Sequence, residues 1–282
     1  MNKEKKNNDT NQDIESSRAP LISHLIELRD RLKWAVVFFF FTFCLCYYYA
    51  TDIYKFLVAP LYDIYLERGI ENPRMIYTAL TEAFFTFLKV SFYGALFISF
   101  PVIALQIYKF AAPGLYKEEK NAFLPFLIAT PVLFSLGAAL VYYFIFPLAW
   151  RFFLGFQTSS IDAGMSIELE AKVNEYLSLV LKLMFAFGLA FQIPVALTLL
   201  SRAGIVNSND LKKKRKYAIV IAFIAAAILT PPDLISQIGL GIPIIILFEI
   251  SIILAKIFER KKEKNKNNKN KKKNIGETDY NE

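Results

Sequence analysis

The stretch from His24 to Leu32 places a carboxylate among apolar residues, just before a long apolar run. Its leucines recur at helical spacing, which predicts an amphipathic helix at a membrane surface that continues into a spanning helix. Glu27 lies on the polar face, four residues before Arg31, and one interpretation is an ordinary ion pair along a solvated helix face. The other is a receptor for arginine, because guanidinium binds carboxylate groups in a two-pronged contact.

A second acidic spot, Glu118–Glu119, lies in a short polar loop between two apolar runs. Loop acids are usually solvated charges, and that interpretation stays open here. Together with Glu27, however, they form acidic spots among basic residues on the same predicted face of the membrane. Desolvation near the interface would strengthen a contact between these carboxylates and an arginine.

Other kinds of chemistry have few candidate residues in this chain. His24 is the one histidine, and Cys44 and Cys46, two positions apart on a helix, face different directions and predict neither a disulfide nor a metal site. We find no metalloprotease, serine-hydrolase or phosphate-loop motif. We therefore expect no enzyme, no cofactor and no metal. The net charge of +8 follows membrane topology, so we expect no nucleic-acid partner.

The composition indicates an all-α membrane protein. The 282 residues are 55% hydrophobic and include 27 phenylalanines, and several runs are long enough to cross a bilayer. We predict a membrane domain over residues 20–256, flanked by disordered polar segments at 1–19 and 257–282. Its six predicted transmembrane helices cover about residues 33–49, 82–108, 121–150, 174–201, 217–230 and 234–255.

The distribution of lysine and arginine predicts the orientation. Most of the 33 basic residues fall at the two ends of the chain and in alternate loops, which places both termini in the cytoplasm. The fifth run is only 14 residues long and spans about 21 Å as a helix. The last two runs therefore form either a re-entrant hairpin or two short spanning helices, and we favour the short helices.

Few polar residues lie inside the predicted spans. Lys89 and Lys182 are near the outer ends, where snorkelling to the interface is the ordinary expectation. Glu249 either snorkels or pairs with Lys256. Gln192 precedes Pro194, which removes a backbone hydrogen bond, so the amide either bonds the freed groups or faces a cavity.

Several segments, in order and at the expected spacing, resemble the TatC family, the multi-spanning subunit of the twin-arginine protein translocase. The resemblance covers about residues 20–256. The matching segments are His24–Arg29, Ala59–Leu61, Phe110–Lys120, Ala186–Val195 and Leu229–Leu234.

The resemblance implies a concave, glove-like bundle of six helices with short fifth and sixth helices. It implies a receptor in the bacterial cytoplasmic (inner) membrane that binds twin-arginine signal peptides of folded proteins and uses the proton-motive force. Glutamates matching Glu27 and Glu119 would bind the two arginines, and Arg29 and Phe110 would belong to the same recognition surface.

The resemblance also implies an intramembrane polar position, here Gln192 beside Pro194, that contacts TatA-like or TatB-like single-span subunits in a homo- and hetero-oligomer. Pro60 and Asp233 would have structural or translocation roles. The family often has glutamate where this chain has Gln192, so a hydrogen-bonding group there would suffice without titration. Two other functions stay open from the residues alone: a secondary transporter of a small solute and a passive membrane scaffold.

Overall fold

The computed structural model describes the backbone of residues 3–70, 72–115, 124–157, 169–202, 204–229 and 234–278. Side chains are described over a shorter part of the helices at the two termini and beside the loops. Within these ranges the chain is helical, apart from turns and one isolated β-bridge. The helices are α1 (Lys3–Tyr48), α2 (Ala50–Glu67), α3 (Glu82–Leu115), α4 (Leu124–Leu140), α5 (Phe146–Leu154), α6 (Val173–Ala190), α7 (Ile193–Arg202), α8 (Ser208–Lys213), α9 (Arg215–Leu229) and α10 (Leu234–Thr278).

Among the residues that the structure describes, five helical stretches are long and apolar enough to cross a membrane, and they agree with five of the six predicted spans. The remaining predicted span, α9, has 15 residues, or about 22 Å of helix, and is the expected short fifth helix. The sixth helix is not short, contrary to the expectation. Its apolar part runs for 24 residues, because no proline or glycine stops α10 between Pro243 and Gly276. The five stretches are Leu25–Tyr48, Glu82–Phe110, Pro125–Leu154, Val173–Arg202 and Gln237–Arg260.

The backbone is helical beyond both predicted limits of the membrane domain. The first helix begins at Lys3 and the last ends at Thr278, where the sequence predicts disorder. Both flanks are rich in lysine with some glutamate, which tolerate helix well, and neither flank contains a proline. The domain limits at residues 19 and 256 stay predictions.

The third span is one continuous helical stretch with a wider turn in its middle. Val141–Ile145 form a π-helical turn between α4 and α5. Pro147 follows it and has no N–H to donate one turn back, to the carbonyl of Tyr143. The wider turn accommodates this missing hydrogen bond without ending the span.

Helix α2 continues without interruption through Pro60. A proline inside a helix leaves the carbonyl four residues earlier without its usual donor. Here that carbonyl belongs to Phe56, and the hydroxyl of Tyr142 donates to it over 2.7 Å. The hydroxyl of Tyr176 donates to the next carbonyl, that of Leu57, over 3.0 Å. Pro60 is therefore a buried junction at which two other spans hold α2.

One end of the bundle, which we call the loop end, carries the described residues 68–70, 72–81, 155–157 and 169–172. Ile76 pairs with Lys172 in a parallel β-bridge across the two segments. Arg68 donates to the carbonyls of Leu154, over 2.5 Å, and Arg151, over 3.0 Å, and so covers the C-terminus of α5. These contacts fix α2 to the third span at the loop end.

Glycine allows α4 and α6 to approach closely in the core. A Cβ atom on Gly137 would lie 2.6 Å from the carbonyl oxygen of Phe187, and one on Gly188 would lie 2.5 Å from the ring of Phe134. Both phenylalanines are fully buried. Small residues at such crossings are typical of membrane helices, because association there depends on close backbone packing.

Candidate functional site

Glu27 lies on α1 and already holds an arginine. Its Oε1 accepts hydrogen bonds from Nε of Arg31, over 3.0 Å, and from Nη2 of the same guanidinium. The side chain of Glu27 is 37% exposed and that of Arg31 is 24% exposed. The carboxylate is therefore reachable from solvent at the beginning of the first apolar span, and it accepts a guanidinium by two donors.

The other residues predicted for the recognition surface are only partly described. Arg29 donates to Asp30 through Nε and Nη2, at 3.0 and 2.9 Å. Phe110 is half-buried on α3 at the last described side chain before the loop. Glu118 and Glu119 lie outside the described residues, so their pairing with Glu27 stays a prediction.

Gln192 lies at the break between α6 and α7. Its side-chain Nε2 donates to the carbonyl of Thr130 on α4 over 3.0 Å. The amide therefore bonds a neighbouring span, and not the backbone groups that buried Pro194 frees. Its Oε1 is buried, and no described residue donates to it. A buried carbonyl oxygen without a donor is costly in a membrane.

Polar side chains extend this contact toward one end of the bundle. The hydroxyls of Thr130 and Tyr108 are 2.9 Å apart, which joins α3 to α4. The Thr130 hydroxyl also donates to the carbonyl of Phe126. Gln192 thus belongs to a hydrogen-bonded line through three spans, which sequence periodicity could not reveal.

Two intramembrane charges have partners that the sequence did not identify. Glu249 accepts a hydrogen bond from Arg215 at the start of α9 over 2.6 Å, so neither snorkelling nor pairing with Lys256 describes it. Lys89 donates to Asn174 and Ser178 on α6, over 2.7 Å each. The i,i+4 spacing of Asn174 and Ser178 was the available signal, since it places both on one face of a helix.

A second unpredicted cluster joins α10 to the loop after α7. The carboxylate of Glu259 accepts the backbone N–H of Ser208 over 2.6 Å and also its hydroxyl. The guanidinium of Arg202 lies 5.8 and 5.2 Å from the ring centroids of Phe126 and Phe258. These contacts hold the start of α4 and the end of α7 against the middle of α10.

Pro60 and Asp233 are the two residues for which the resemblance implies structural or translocation roles. Pro60 is the buried junction in α2 described above, which supports a structural role. Asp233 lies outside the described residues. Within the described ranges, no cluster of three or more histidine, cysteine, aspartate or glutamate side chains could bind a metal ion, and we assign no metal ligands.

Comparison with known proteins identifies the family. Residues 23–243 match the family model of the Sec-independent protein translocase protein TatC. A TatC protein from Magnetococcus marinus is 52% identical over 252 residues, covering 89% of each chain, and the Escherichia coli K12 TatC protein is 39% identical over 242 residues, covering 86% of this chain and 90% of its own. A crystal structure of the twin arginine translocase receptor TatC superposes with a TM-score of 0.72 at 38% identity, covering 84% of this chain and 99% of that one.

The matched region includes the Glu27 end of α1, the Gln192 break and the first turns of α10. The relatives are bacterial translocase proteins, and their class is a transport component without catalytic chemistry. The chain therefore belongs to the TatC family and is a multi-pass inner-membrane subunit of the Sec-independent protein translocase, not an enzyme.

Proposed function

We propose that this subunit is the core receptor for the twin-arginine signal peptides of folded cargo proteins, and that Glu27 binds one of the two arginines. The observation that carries the proposal is the contact between Glu27 and Arg31, in which a solvent-reachable carboxylate accepts a guanidinium through two donors. Glu119 supplies the second carboxylate, and Arg29 and Phe110 border the bound peptide.

The proposed topology has six spans, with both termini in the cytoplasm and the Glu27 end of α1 at the cytoplasmic surface. The apolar stretch of the signal then lies along the concave side of the bundle. Helix α9, at 15 residues, is shorter than a typical bilayer core requires, and it thins the membrane locally. Thinning lowers the free energy needed to open a path for cargo through the membrane. The thinning depends on α9 alone, because α10 is long enough to span the bilayer.

Gln192 is the proposed contact for TatA-like or TatB-like single-span subunits in a hetero-oligomer. Its buried Oε1 has no donor among the described residues, and a hydroxyl or amide in a partner's membrane helix would supply one. An amide cannot titrate, so in this subunit the proton-motive force acts through other groups of the assembled translocase.

Family membership removes the small-solute transporter alternative. Glu249, an intramembrane carboxylate that a transporter could use, is paired with Arg215. A passive scaffold remains as an outcome of the experiment, because a scaffold would tolerate alanine at Glu27 and Glu119.

Photocrosslinking tests the proposal in native membranes. A twin-arginine signal peptide with a photoreactive residue beside its arginines is added to the wild-type chain, to Glu27→Ala and to Asp30→Ala. Asp30 is a matched control, because it is a 57% exposed carboxylate on the same helix that pairs with Arg29. We expect crosslinks near Glu27 that are lost in Glu27→Ala, kept in Asp30→Ala and lost when lysines replace the peptide's arginines. Equal crosslinking in both variants would refute the site.

A further inference from the structure

Two lysines meet at the loop end of the bundle, and a nearby carboxylate, that of Glu82, accepts hydrogen bonds from backbone N–H groups and not from either ammonium group. Lys89 on α3 donates to Ser178 on α6, and Lys182 follows Ser178 by one turn on the same face of α6, so the two ammonium groups are neighbours. Among the described residues, no carboxylate lies within ion-pair distance of either ammonium group. Two adjacent positive charges at a membrane protein's surface are costly unless an anion neutralises them.

The geometry fixes one lysine and leaves the other accessible. Lys89 is half-buried, and two of its three N–H groups donate to Asn174 and Ser178. Lys182 is exposed and makes no described hydrogen bond, and it lies one turn beyond Ser178 on the same face of α6. A rigid ammonium beside a mobile one can hold a small anion between them.

The position of the two lysines along the axis of the bundle indicates which kind of anion they bind. Asn174 lies in the first turn of α6, so the ammonium of Lys89 lies at the beginning of that span, where lipid headgroups are found. Phe84 and Phe85, on the first turn of α3, are exposed at this end of the same helix. Below it, the rings of Tyr93 and Phe185 pack edge to face with centroids 6.0 Å apart.

We propose that Lys89 and Lys182 form a binding site for a phosphate anion, carried by the headgroup of an anionic phospholipid in the leaflet at the loop end. The two ammonium groups contact the phosphate, and the acyl chains lie against the apolar surface of α3 and α6. A soluble phosphate also carries negative charge but has no acyl chains. Its binding would be weaker, because no apolar acyl surface is buried against α3 and α6.

Native mass spectrometry of the purified full chain tests the site. Phosphatidylglycerol is titrated against the wild type, Lys182→Gln and Lys55→Gln, with phosphatidylcholine and soluble glycerol phosphate as separate arms. Lys55 is a matched control, since it is an exposed lysine whose own partner is Asp52. We expect the first phosphatidylglycerol to bind about fivefold more weakly to Lys182→Gln, which is the effect of one lysine charge at a membrane surface, and equally to Lys55→Gln.

Three outcomes decide the proposal. Lys182→Arg keeps the charge and should keep the affinity, so a loss in both Lys182 variants would overturn the electrostatic explanation. Unchanged binding in Lys182→Gln would overturn the site itself. Displacement of the lipid by equimolar glycerol phosphate would show that a soluble anion is the ligand and overturn the lipid assignment.

Discussion

Arg31 donates to Glu27 one helical turn away, with 3.0 Å between Nε and Oε1. The carboxylate proposed to receive a signal-peptide arginine therefore has a resident guanidinium. An incoming arginine competes with Arg31, and the exchange keeps the carboxylate paired at every stage. Such an exchange needs a pair of modest strength, which a half-exposed i,i+4 contact provides.

Removing the resident guanidinium should strengthen peptide binding. We expect Arg31→Gln to bind a twin-arginine peptide up to about fivefold more tightly, because up to about 1 kcal/mol of competing ion pair is lost. Fluorescence anisotropy of a labelled peptide measures the change. Lys33→Gln, which removes an exposed charge from the same helix, controls for net charge. Weaker binding in Arg31→Gln would instead mean that Arg31 positions Glu27 for the peptide.

Replacing Gln192 should affect assembly more than stability. In Gln192→Leu the hydrogen bond to Thr130 is lost, but the unpaired buried oxygen is lost with it, so the unfolding free energy should change by about 1 kcal/mol or less. Co-purification with a single-span partner should fall strongly.

Gln237→Leu is the control for that experiment. Gln237 donates to the carbonyl of Phe223 over 3.4 Å and has no buried oxygen lacking a donor. Its loss should leave co-purification unchanged. An equal decrease in both variants would contradict a specific role for Gln192.

The glycines between α4 and α6 should not tolerate a methyl group. Gly137→Ala places Cβ against a backbone oxygen that cannot move aside, and Gly188→Ala places it against a buried ring. We expect each to destabilise the chain by about 1–3 kcal/mol in detergent-solubilised thermal unfolding. Gly239→Ala is the control, since its Cβ would meet nothing closer than 3.7 Å, and it should be neutral or slightly stabilising.

Arg68 should hold the loop end together. In Arg68→Gln the contacts with the carbonyls of Leu154 and Arg151 are lost, and we expect about 1–3 kcal/mol of destabilisation, since bonds from a charged donor are replaced by water. Limited proteolysis near residue 155 measures the loosening. Arg74→Gln serves as control, because Arg74 is 80% exposed and its ion pair with Glu170 is 3.5 Å long. Equal protection in both variants would exclude the role of Arg68.

Apolar runs and charge distribution predicted most of the architecture, because membrane crossing depends on local composition. Five spans and the shortness of α9 follow from run length alone. The continuity of α2 through Pro60 does not follow from run length. The residue that donates the compensating hydrogen bond, Tyr142, lies 82 positions beyond Pro60 in the chain. The length of α10 was underestimated, because the charged residues after Ala255 end the apolar pattern without ending the helix.

The candidate site was predictable where its residues are neighbours in sequence. Glu27 and Arg31 are one turn apart, and the sequence placed them on one face. The partners of Gln192, Glu249 and Lys89 lie on other helices. The spacing of residues in the sequence therefore identifies each polar residue inside a span but not the residue that it contacts. Predicting those contacts requires the packing of α3 and α4 against α6 and of α9 against α10.

A double-mutant cycle between the receptor and the signal peptide tests the central claim most directly. Peptide affinity is measured for the wild type, Glu27→Gln and Glu119→Gln, each with peptides in which one arginine at a time becomes norleucine. We predict a coupling of at least about 1.5 kcal/mol between Glu27 and one of the two arginines, as close charge pairs give, and none for Asp30→Asn. Coupling near zero at both glutamates would contradict the account, even if overall affinity fell.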